Sequence, residues 1–194
     1  LKLVKIGPGT IGDNAARSQT YTGGTELRGG TVNASGWGSD HRWGAAGSTI
    51  TVGTNSVFEL QAMTYFGDYT FVLDGGTLSN SIKPSQTSVW QMDEIKHIRV
   101  NSKSTINFSK SYSLMNYANK TYGPTTLDLQ GNTLTVNFST DSGNFCYFSN
   151  TTATRGTLEL HGPIGFIGGA CMGPETTFDH YGHITPEVEV HIGT

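Results

Sequence analysis

Charge is scarce in this chain. Asp, Glu, Lys and Arg together make up 14% of its 194 residues, well under the roughly 25% usual for globular domains. That scarcity argues against a helical bundle, whose exposed faces need charged stripes. The formal net charge of −3 leaves no basic footprint for nucleic acid or an anionic membrane surface. Cysteine is also sparse. Cys146 and Cys171 stand in neither a CxxC nor a zinc-ligand spacing, which excludes a disulfide-dense miniature fold and a zinc finger. Whether the two are bridged stays open. No apolar run is long enough to cross a bilayer as a helix, and no leader pattern opens the chain.

Glycine, by contrast, is abundant at 26 residues, about 13% of the chain against roughly 7% on average. With many Ser, Thr and Asn, it suits a β protein full of tight turns. A motif recurs: alternating apolar and polar residues, a turn with Gly or Asn, then a second alternating run. It reads TELRGGTVNA from Thr25, TITVGTNSVFEL from Thr49, TFVLDGGTLSN from Thr70 and HIRVNSKSTINF from His97. TLDLQGNTLTVNF from Thr126, TLELHGPIGF from Thr157 and EVEVHIGT from Glu187 continue it. The second apolar residue of each copy is Leu27, Val52, Leu73, Val100, Leu129, Leu160 and Val190, at intervals of about 25, 21, 27, 29, 31 and 30 residues.

Such a period marks a solenoid. A sandwich would place strands every 8–12 residues with no returning motif. One alternating strand cannot bury its apolar side alone, but copies stacked about 4.8 Å apart line those residues into interior columns. The predicted fold is an all-β, right-handed parallel β-helix of about seven to eight coils. Residues 1–194 form a single segment, read as a fragment of a longer repetitive protein because both ends interrupt strand-like sequence. No capping helix is visible, so segments are expected to join end to end into fibres through their open strand edges.

Lys5-Ile6-Gly7-Pro8-Gly9-Thr10, followed by TYTGGTELRGGTV from Thr20 to Val32, resembles the autotransporter-associated β-strand repeat of bacterial surface proteins. Gly23, Gly24 and Thr25 match its central element and Gly30 its later turn. The stretch from Gly12 to Ser18 departs from the family's continuing strand, and Gln19 replaces the common Asn. The likeness covers about 30 of 194 residues. It implies a β-helix outside the cell, serving as a stalk or adhesive surface, and it carries no catalytic residues.

Three groups of side chains are candidates for chemistry. If all anchors shared one column, Asp128, Glu159 and Glu189 would stack outside it, with Gln130, His161 and His191 in the next outward positions. Stacked carboxylates would attract Ca²⁺ or act as acid and base on a polysaccharide; the competing reading is a solvated polar face. His180 and His183, in Asp179-His180-Tyr181-Gly182-His183, could share a metal on a turn, but match no strong zinc signature. Trp37, Trp43 and Trp90 would stack on sugars if exposed, or close the core if buried. The sequons at Asn33, Asn107, Asn119, Asn137 and Asn150 follow from composition. The sequence therefore favours a non-enzymatic structural or adhesive segment, secreted or on a bacterial surface, that contacts a glycan or host ligand and needs no cofactor. A polysaccharide-active enzyme, either lyase or glycosidase, and a passive glycan-binding module are the alternatives.

Overall fold

A computed structural model describes residues 1–13, 21–34, 43–61, 69–80, 95, 97–108, 125–138, 148–149, 155–162 and 188–193. The strands alternate between two parallel sheets. Sheet A stacks β1 (Leu3–Lys5), β3 (Thr25–Leu27), β5 (Thr49–Gly53), β7 (Thr70–Asp74), β9 (His97–Ser102), β11 (Thr125–Asp128) and β13 (Phe148–Ser149). Sheet B stacks β2 (Thr10–Asp13), β4 (Gly30–Ala34), β6 (Ser56–Leu60), β8 (Thr77–Asn80), β10 (Ser104–Phe108), β12 (Thr133–Phe138), β14 (Gly156–His161) and β15 (Val188–Gly193). Every strand pair in both sheets is parallel. No helix occurs among the described residues. The fold is a parallel β-helix.

The core lies between the sheets and is built from columns of apolar residues, one from each coil. In sheet A, Leu27, Val52, Leu73 and Val100 succeed one another in register and are fully buried. Beside them run Ile50, Phe71, Ile98 and Leu127. Sheet B answers with Val32, Phe58, Leu78, Ile106, Val136 and Leu160. Phe58 meets Phe71 across the gap edge-on, with centroids 5.4 Å apart, and Trp43 packs edge-on against Phe58 at 5.5 Å. Edge-to-face packing of this kind adds to the burial of large apolar area.

Two of the sequence anchors sit elsewhere than predicted. Leu160 belongs to β14 and Val190 to β15, both in sheet B, whereas the five earlier anchors follow sheet A. The cause is that TLTV from Thr133 and TLEL from Thr157 share the same apolar phase, and they pair with each other. Period-2 alternation assigns a residue to a face but not to one of two sheets. In that coil the sheet A place is taken by β13, only two residues long.

The two sides of the stack are connected differently. Between β1 and β12, each sheet A strand passes to its sheet B successor through one to four residues. These turns use left-handed backbone at Gly7, Gly30, Asn55, Gly75, Gln130 and Gly131. The return connections up to β13 are nine to sixteen residues long. Most of the variation in the period thus falls in the returns, as expected where insertions leave the stacked strands untouched.

The residues of the N-terminal resemblance have clear physical roles. Lys5 occupies the inward column next to Leu27 and is itself buried. Its ammonium donates to the carbonyls of Gly7 (2.6 Å), Gly29 (2.9 Å) and Ile6 (3.3 Å), joining the turns of two successive coils. A buried cation is tolerable because those dipoles replace its water. A side chain at Gly30, whose φ is +75°, would strike both the Gly7 carbonyl and the Lys5 ammonium. At the other end of β3, Gly24 has φ +71° and lies against the carbonyl of Thr49, leaving no room for a Cβ. Thr25 then enters the core, its hydroxyl donating to the Trp43 carbonyl at 2.8 Å and receiving Tyr21 at 3.0 Å.

The inward and outward positions of β6 give the first test. Phe58→Ala opens a cavity at the meeting point of both sheets and should cost about 3–5 kcal/mol, read as a lowered urea midpoint. Val57→Ala, one residue away on the outer face, should stay within about 0.5 kcal/mol. Equal losses would contradict the assigned facing.

Candidate functional site

The outer face of sheet B carries the most regular surface chemistry. One outward column reads Thr10, Thr31, Val57, Thr77, Thr105 and Thr135, then Glu159 and His191. The neighbouring column reads Gly12, Asn33, Glu59, Ser79, Asn107 and Asn137, then His161. Strand spacing sets successive members about 4.8 Å apart. The Asn137 amide donates to the Asn107 side-chain carbonyl at 2.8 Å, joining these two rungs along the stack. Glu59 is the one acid on this part of the face, and the Gln61 amide donates to it at 3.0 Å. From β2 to β12 this surface is almost neutral, with hydroxyls and amides on most rungs and Val57 with Glu59 at β6.

The three acids proposed for a single column are not in one. Asp128 lies on the outer face of sheet A, in register with Arg99. It accepts from the Arg99 guanidinium at 3.1 Å and from the Gln130 amide at 2.7 and 2.8 Å. Glu159 and Glu189 both lie on sheet B, but Glu159 is level with Thr135 and His191 while Glu189 is level with Thr157. Glu159 accepts from the Thr135 hydroxyl at 2.8 Å, and Glu189 is 2.6 Å from His191. The Thr135 hydroxyl, reinforced by the charges of Lys103, His161 and His191, holds the Glu159 carboxyl below its usual range. The prediction failed because the alternation of EL and EV does not fix register: a slip of two residues leaves every apolar side chain facing inward.

The other candidates divide as follows. Trp43 is buried, 4% exposed, against Phe58, so it closes the core and is not open to a sugar ring. Trp37, Trp90, His180, His183, Cys146 and Cys171 lie outside the described residues. Among the described residues no group of three or more His, Cys, Asp or Glu is placed to hold a metal ion, and no helix is long and apolar enough to cross a membrane. Sequence reasoning missed the Thr/Asn columns, although their signal was present as the tripeptides TVN, TIN and TVN at Thr31, Thr105 and Thr135. It also missed the ion cluster on sheet A in which Glu26 pairs with Lys2 and, at 2.6 Å, with Arg28.

The class these features define is a parallel β-helix with a neutral polar face. No family model matches the chain, and neither does any curated protein or solved structure.

Glu26 supplies a pH test. Hydrogen bonds from Arg28 and then Lys2 lower its pKa from 4.5 to about 2. A carboxylate depressed in this way stabilises the fold above its unfolded value, and the contribution fades as pH falls through the folded one. Glu26→Gln should therefore flatten the loss of stability between pH 4.5 and about 2. Since the cations are exposed, the change should be on the scale of about 0.2–1 kcal/mol. Acid titration followed by circular dichroism reads it, and identical curves for the two proteins would contradict the pairing.

Proposed function

We propose that this chain is a non-enzymatic structural and adhesive segment of a bacterial secreted or cell-surface protein. The observation that carries the reading is the repeating neutral face of sheet B, where Thr31, Thr77, Thr105 and Thr135 run beside Asn33, Ser79, Asn107 and Asn137. A rigid stack that carries hydroxyls and amides on most of its rungs, interrupted by Val57 and Glu59 at β6, suits contact with another extended, largely uncharged surface such as a glycan. Each contact is weak alone, and repetition along a rod adds them.

Two further points support a structural role over an enzymatic one. Asp128, Glu159 and Glu189 are each engaged by a neighbouring side chain, and Asp128 is on the other sheet from the two glutamates. A glycosidase needs two carboxyl groups flanking one scissile bond. The resemblance of residues 5–32 to the autotransporter-associated repeat supports the extracellular placement and a stalk-like role.

Incubation with uronate-containing and neutral glycans should release no products. Retention on immobilised glycans without turnover, weakened several-fold by Thr105→Lys and Asn107→Lys, is the expected adhesive behaviour. Product release that disappears in Glu159→Ala would replace this reading with the polysaccharide-active enzyme.

A further inference from the structure

The tripeptides Glu159-Leu160-His161 and Glu189-Val190-His191 stand on neighbouring strands β14 and β15. Their register is offset by two residues. Glu159 is level with His191, Leu158 with Val190 and Leu160 with Ile192. The alternative, with Glu159 level with Glu189 and His161 level with His191, would keep the same apolar parity, so hydrophobic burial discriminates weakly between the two. Electrostatics discriminates strongly in sign. The observed offset sets each inter-strand carboxylate beside an imidazole or a hydroxyl, whereas the alternative sets carboxylate against carboxylate and imidazole against imidazole. Like charges directly opposite across strands are destabilising.

We propose that the pairing of β15 with β14 is a proton-tightened register lock, in which protonated His191, paired with Glu189 on its own strand, stands level with Glu159 on the adjacent one. The His191 ring nitrogen is 2.6 Å from Glu189, and the His161 ring nitrogen is 4.0 Å from Glu159. The groups facing this patch among the described residues are Thr133, Thr135 and Asn137 of β12, Thr157, Glu159 and His161 of β14, and Glu189 and His191 of β15. Lys103, whose charge reaches Glu159, is the remaining cation. Glu159, held below the ordinary carboxylate range by the Thr135 hydroxyl, stays ionised throughout the range from pH 5.5 to 8. With both imidazoles neutral the patch holds two carboxylates and one cation. Protonation of His191 adds a cross-strand attraction to the observed register and a repulsion to the slipped one. In the observed register His191 is level with Glu159, whereas His161 is level with Gly193 and so is offset from His191 by two residues along the strand.

Hydrogen exchange of the amides of residues 188–193, corrected for intrinsic rates, tests this at pH 5.5 and 8. The wild-type protein should protect them about 1.5- to five-fold better at the lower pH, the modest scale of an exposed ion pair. The difference should vanish in His191→Gln and in Glu159→Gln, while protection of β6 and β8 stays unchanged as an internal reference. Equal protection at both pH values in the wild type, or a difference that persists in His191→Gln, would overturn the lock.

Discussion

A strand that alternates apolar and polar residues has one face it must remove from water and no means of doing so alone. Every other feature of this molecule follows from how that face is covered. Stacking coil on coil satisfies the backbone through parallel pairing and, in the same step, places Leu27 under Val52 and Val32 under Phe58. The burial is collective. Each coil depends on its immediate neighbours, so stability is close to a sum of local interfaces.

That dependence explains where the sequence is strict and where it is free. The tight turns stay within one to four residues, and they are held by left-handed residues and, at Lys5, by an ammonium that ties two coils together. The long returns on the opposite edge change length from coil to coil with no consequence for the columns. The outer faces answer to a third requirement, which is solvation without charge conflict. On sheet B this is met by Thr and Asn over most of the stack, and by alternating Glu and His at β14 and β15.

The architecture was legible because period-2 alternation and a recurring motif are properties of the chain alone. Inward facing was correct at Leu27, Val52, Leu73, Val100, Leu129 and Leu160, all buried. What the pattern lacked was information on pairing. A strand of sheet A and a strand of sheet B carry the same alternation, so TLEL from Thr157 could be assigned to either. The two-residue β13 has too little sequence to announce itself. The same ambiguity placed Glu189 beside Glu159, when the register sets it beside Thr157. The facing of Trp43 could not be read either, because its burial rests on Phe58, which reaches it only in the folded stack.

The central claim is the parallel register itself, and engineered cysteines test it most directly. In a background with Cys146→Ser and Cys171→Ser, Thr105→Cys and Thr135→Cys fall on level residues of β10 and β12. Strand spacing puts their Cα atoms about 4.8 Å apart, within the span of a disulfide. Thr105→Cys with Asn137→Cys is offset by two residues and lies beyond about 7 Å, too far to bridge without backbone movement. Mild oxidation of the folded protein should close the first pair and leave the second reduced. Preferential closure of the offset pair, or of neither, would contradict the stacked columns on which the whole account rests.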